Sequence, residues 1–164
     1  MTTVILDKRN GLYAHDGLIC DGSTITGTNM KKAWVLDVAK VDNTTEMMVI
    51  GGCGDVAAIK KIQEYIEQVQ SVDDVQKAVD CVRTQFNDAE FNIAVMIANE
   101  NGRKLFEACE KLPIRKVEED YTALGSGRNF AIAAMDAGCS ARKAVEIACN
   151  RDVGSGGTVI SGGI

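Results

Sequence analysis

The chain has 164 residues and a mass of 17.6 kDa, with 46% hydrophobic and 25% charged residues, enough for one domain with a sizeable core and too apolar for a disordered chain. Residues 1–164 are therefore read as a single domain; the 23 acidic and 18 basic residues give a net charge of −5, which excludes the basic field that nucleic-acid binding requires. No apolar run approaches the roughly 20 residues of a membrane span, and the first residues lack the basic-then-apolar pattern of a secretory signal, so a cytoplasmic location is expected, without nucleic acid or membrane as partner.

Residues 3–6 are β-branched and apolar, and Lys8-Arg9-Asn10-Gly11 follows them. Asn-Gly is a strong hairpin signal, which makes residues 12–15 the returning strand. The Gly-, Thr- and Ser-rich residues 21–29 read as a loop. Strands are expected at 33–38 and 47–50, and Gly51-Gly52-Cys53-Gly54 is expected to break the pattern. A helix should start near Asp55, because Ile59, Ile62, Ile66 and Val69 recur at helical spacing. A second helix should start from Ser71, three residues before Asp74 as in a capping box, with Val72, Val75, Val79, Val82 and Phe86 as its apolar stripe. Both stripes read as core-facing.

Strands follow at 91–97 and 104–109 around a turn at 99–102, with Pro113 in the next connection. Residues 121–124 form a strand ending in Gly125-Ser126-Gly127. Helices are expected at 130–137 and, capped by Ser140, up to Cys149. A glycine-rich loop at 151–157 leads to a last short strand at 158–160. Strands and helices are grouped rather than alternating, which predicts an α+β fold with two antiparallel sheets covered by two helical layers.

The six cysteines contain no Cys-x-x-Cys pair, and His15 is the sole histidine, so a zinc site would need unusual ligands. Buried, reduced thiols are expected. A Ser-His-Asp arrangement would have to use His15 as its base. Thr2 offers other chemistry. A small residue at position two favours removal of Met1, which leaves Thr2 with a nucleophilic hydroxyl and its own α-amine as base. Such an amine titrates at about 7.7–8.0, near the pH that general-base catalysis favours.

In this company the chain resembles the proteasome family of N-terminal-nucleophile (Ntn) hydrolases, and within it the HslV-type peptidase. The resemblance rests on Thr2-Thr3-Val4-Ile5 at the start, His15-Asp16-Gly17, and Lys32 placed 16 residues after Asp16. It continues through Gly51-Gly52-Cys53-Gly54 before a helix, Leu124-Gly125-Ser126-Gly127, and Arg151-Asp152-x-x-Ser155-Gly156. The opening hairpin is two residues shorter than in the HslV type, and the Asp152 loop looks more like that of proteasomal β subunits.

The resemblance implies a four-layer αββα sandwich, the Ntn-hydrolase fold, with threonine endopeptidase activity through an acyl ester. It implies Thr2 as nucleophile and base, Lys32 and Asp16 tuning and holding it, and Gly51 donating to the oxyanion. Ser126, Asp152 and Ser155 would orient the α-amine. Lys31, one residue from Lys32, should face the other way. Catalysis would need no cofactor, although backbone carbonyls of Arg151, Gly154 and Gly157 match positions that hold a structural cation, sodium or magnesium. The implied partners are copies of the chain in a double ring of six- or seven-membered rings, an AAA+ ATPase unfoldase, and unfolded polypeptides as substrates. A non-catalytic ring or shell subunit and a small-molecule amidase of the same fold stay open as alternatives.

Overall fold

A computed structural model describes residues 2–21, 24–39, 45–66 and 72–164. Met1, Val69 and Ser71, on which three expectations rest, lie outside the described residues. The chain opens with β1 (Val4–Asp7) and β2 (Leu12–His15), joined by a turn in which Gly11 takes φ +67, a conformation that favours glycine. Then come β3 (Ile19–Asp21), β4 (Thr24–Gly27), β5 (Ala33–Ala39), β6 (Thr45–Gly54), α1 (Val56–Ile66) and α2 (Val72–Gln85). The second half contains β7 (Phe91–Asn99), β8 (Gly102–Cys109), β9 (Arg115–Val117), β10 (Tyr121–Leu124), α3 (Arg128–Asp136), α4 (Ala141–Cys149) and β11 (Ile160–Gly163).

A four-stranded sheet has the order β10-β1-β2-β11 and a five-stranded sheet β5-β6-β7-β8-β9, β3 and β4 form a separate pair, and the pairing is antiparallel throughout. Alternation along β1 separates the layers. Val4 and Leu6 pack between the sheets with Val49, Ala94, Met96 and Leu105, whereas Ile5 faces α3 and α4 with Ala131, Ala144 and Val145. The far side of the larger sheet packs Ile50, Ile93 and Val95 against Ile59 and Ile62 of α1 and Val75, Val79 and Val82 of α2. The layers are α, β, β, α, as expected, and Ile59, Ile62, Val75, Val79 and Val82 of the two helical stripes are core, with Val72 and Phe86 partly buried against them. Among the described residues no helix is long and apolar enough to cross a membrane.

Four local expectations need correction. Residues 21–29 are not all loop, because β-branched Thr24, Ile25 and Thr26 form β4 and pair with β3. The glycine run does not break its strand. β6 continues to Gly54, with Gly51 opposite Ala94 and Gly52 opposite Ile93. The glycines serve close packing there: a Cβ on Gly51 would lie 2.6 Å from Val4 Cγ1, and one on Gly52 2.9 Å from Ile59 Cδ1. The short β9 falls in what read as a connection. The last strand begins at Ile160 rather than 158, since the Thr158 N–H donates to the Thr28 carbonyl at 2.8 Å and is tied to a loop.

β10 ends against the start of the chain. Gly125 has φ +89, and a Cβ there would collide with the carbonyl of Thr2. Gly125→Ala is therefore expected to lower stability by more than about 1 kcal/mol, from backbone strain and displacement of Thr2. A denaturant midpoint equal to the wild type's would show that the Thr2 carbonyl is not held here.

Candidate active site

β1 and β2 bring Thr2 and Asp16 to one end of the four-stranded sheet, since Val4 pairs with His15 and the Asp16 N–H donates to the Thr3 carbonyl at 3.0 Å. Lys32 arrives from just before β5, where the Gly52 N–H donates to its carbonyl at 2.9 Å. Asp16 and Lys32 are both buried, and Lys31 is exposed, as the expected opposite facing requires.

Lys32 Nζ donates to Asp16 Oδ1 at 2.9 Å and to Thr2 Oγ1 at 2.8 Å. The ammonium thus bridges a carboxylate and a hydroxyl in a desolvated setting, where charge-assisted hydrogen bonds are strong. Burial pushes the Lys32 pKa below the ordinary lysine value, although the Asp16 carboxylate pulls it back. Asp16 is held from several directions. Its Oδ1 also accepts from the Thr3 N–H at 2.8 Å, and its Oδ2 from the N–H groups of Leu18 and Gly156, each at 3.1 Å.

The Asp16–Lys32 pair is buried, so removing one partner leaves the other charge uncompensated. Asp16→Ala is expected to destabilise the fold by about 3–5 kcal/mol, the range for breaking a buried pair. Chemical denaturation checks this, and a loss below about 1 kcal/mol would show that water reaches the pair.

A second group of residues lies on the other side of Thr2. The Thr2 N–H donates to Ser126 Oγ at 3.3 Å, and Ser126 Oγ donates to Asp152 Oδ2 at 2.6 Å. Ser155 Oγ donates to the same Asp152 oxygen at 2.6 Å and lies 2.6 Å from Thr3 Oγ1. Burial works against the Asp152 carboxylate, but hydrogen bonds from Ser126, Ser155 and the Gly154 backbone outweigh it and hold its pKa below the usual value. The depressed value means that Asp152's contribution to stability is full above its unfolded pKa and is lost as pH falls through the folded one.

The structure thus brings together Thr2, Asp16, Lys32, Ser126, Asp152 and Ser155. Gly51 stands apart: it packs on Val4, and the cavity beside Thr2 and Lys32 is bordered by Gly52, Cys53 and Gly54 instead. A far larger cavity, near Arg9, Arg128 and Asp136, does not contain Thr2. Sequence reasoning missed Thr3, whose N–H and hydroxyl join the two groups, although the doubled Thr2-Thr3 was its signal. It also missed the Gly156 N–H as a ligand of Asp16. His15 is no base for Thr2. Its Nδ1 donates to the Asp16 carbonyl at 3.0 Å, it is fully buried, and burial lowers its pKa.

Arg151, Gly154 and Gly157 share the Asp152 loop, but their carbonyls are neutral donors. The adjacent carboxylate oxygen is occupied by Ser126 and Ser155. That is a sparse donor set for a hard cation. Among the described residues no group of three His, Cys, Asp or Glu could hold a metal ion.

No family model and no curated protein matches the chain. Solved structures do. Anbu (ancestral beta-subunit) from Yersinia bercovieri superposes with TM-score 0.76 at 12% identity, over 98% of this chain and 80% of that one. Thiobacillus denitrificans BPH gives TM-score 0.70 at 19% identity, over 99% of this chain and 97% of that one. The same BPH in complex with epoxomicin gives TM-score 0.70 at 18% identity, over 99% and 98% of the two chains. The αββα sandwich is the proteasome-like Ntn-hydrolase fold.

Proposed function

We propose that the chain is a proteasome-related threonine peptidase, active once Met1 is removed. The carrying observation is the buried Lys32 ammonium bridging Asp16 Oδ1 and Thr2 Oγ1. In the proposed reaction the Thr2 hydroxyl attacks a peptide carbonyl and its proton passes to the α-amine of Thr2. The positive charge of Lys32 keeps that amine neutral and basic at working pH. Ser126, itself held by Asp152, positions the amine. The tetrahedral oxyanion is met by a backbone N–H at the cavity-lining end of β6, Cys53 or Gly54, because the Gly52 N–H is engaged by the Lys32 carbonyl. The C–N bond breaks, the leaving amine takes the proton back, and an ester remains on Thr2. Water, deprotonated by the same amine, then hydrolyses the ester and restores the hydroxyl.

The epoxomicin complex of BPH supports this reading, as does a fold shared with Anbu. Assembly of copies into a cytoplasmic ring chamber, with an ATPase unfoldase delivering polypeptide, belongs to the same proposal. The affiliation is with the proteasome-like fold at large, since the superposed structures are Anbu and BPH rather than an HslV-type peptidase. Intact-mass measurement tests the first requirement. A chain lacking Met1 that hydrolyses a fluorogenic peptide and sediments at many times 17.6 kDa is expected. Retention of Met1, with no hydrolysis, would instead favour the non-catalytic shell subunit.

A further inference from the structure

The cavity beside Thr2 bears on which peptides the site accepts, provided that the chain is the peptidase proposed. It is small, about 50 Å³, room for roughly three to five waters at about 10–15 Å³ each. Ile19 and Cys20 of β3 and Leu18 before it form one wall. Met30, Cys53 of β6, and Val56 and Ile59 of α1 form the rest. Among the described residues no carboxylate lines it, and the ionised group at its edge is Lys32, whose ammonium is already engaged by Asp16 and Thr2. Burial pushes the Cys53 thiol up to about 11, so this wall is uncharged at neutral pH.

We infer that this cavity selects a small, uncharged apolar side chain on the residue whose carbonyl Thr2 attacks. That side chain lies closest to the nucleophile and is the one the cavity can receive. A basic side chain would enter a desolvated pocket with no partner for its charge. An acidic one would compete with Asp16 for Lys32. A large aromatic ring exceeds the volume, and an apolar pocket discriminates by size at about tenfold or more per misfitted group.

Peptides that differ only in the residue before the fluorophore (Ala, Val, Phe, Arg or Glu) test this. The better of Ala and Val should exceed Phe, Arg and Glu in kcat/KM by about tenfold or more. Val56→Glu supplies a gain-of-function arm. Val56 is 39% exposed at the start of α1, so a carboxylate is tolerated there and suits the helix N-terminus. It should raise the Arg-to-Val ratio of kcat/KM by about tenfold. A wild-type preference for Phe, Arg or Glu, or an unchanged ratio in Val56→Glu, overturns the inference while leaving the peptidase reading intact. If wild type with Thr2 at its N-terminus cleaves none of the five, the peptidase reading falls and the inference with it.

Discussion

Replacing Thr2 by alanine is expected to reduce peptide hydrolysis to background, a loss of at least about a thousandfold, because the attacking oxygen is gone. The fold should persist. Thr2 lies ahead of β1 with its side chain buried at the cavity, and the lost hydrogen bond from the charged Lys32 is worth about 1.5–3 kcal/mol. The Lys32–Asp16 pair survives the substitution, since Asp16 retains its Lys32 contact and its backbone donors. Thr2→Ser keeps the oxygen and should keep measurable turnover. Hydrolysis of one fluorogenic peptide, read beside the denaturant midpoint, separates chemistry from folding. Near-normal turnover in Thr2→Ala would overturn the mechanism outright.

Lys32→Ala is expected to cost more than about tenfold in rate and Lys31→Ala almost nothing. The difference is geometric. Lys32 is buried with Nζ 2.8 Å from Thr2 Oγ1, whereas Lys31 is exposed. Deleting the Lys32 charge lets the Thr2 α-amine titrate higher, so the acidic limb of the pH–rate profile moves to higher pH and less neutral base is present near neutrality. Each unit of that movement is about 1.36 kcal/mol between the protonation states of the amine. Loss of the hydrogen bond to the nucleophile adds to it. Lys32→Arg keeps the charge but not the point-like ammonium that reaches both partners, and should also be poor. Equal losses at the two lysines would show that the bridge to Thr2 does not operate in turnover.

The layer order was legible because grouped strands and helical stripes are set by local periodicity, and Ile59, Ile62, Val75 and Val79 lie in the core as their spacing requires. Much of the site was legible for a different reason: Asp16, Lys32, Ser126 and Asp152 sit in short patterns whose resemblance extends along the chain. Gly51 shows the limit. A glycine run signals that a side chain is unwelcome, but it does not say whether a turn, a substrate or a neighbouring strand excludes it. Here Val4 does so for Gly51 and Ile59 for Gly52. Backbone donors such as the Gly156 N–H leave no mark on residue type at all, so the ligands of Asp16 needed coordinates. The β3–β4 hairpin was hidden because its Thr and Gly residues serve loops and edge strands equally.

Asp16 joins segments that leave the ribosome at very different times. Its carboxylate meets the Thr3 N–H from the start of the chain, Lys32 soon after, and the Gly156 N–H only when residue 156 has emerged. Ser126 and Asp152, which flank Thr2 on its other side, are equally late, and the strands beside β1 and β2 include β10 and β11. A nascent chain therefore displays Thr2 long before it owns the groups that surround it. Such far-separated contacts close slowly. In the proposed peptidase the order of synthesis would act as a safeguard: Thr2 is made early, and the environment that would make it reactive is completed almost last.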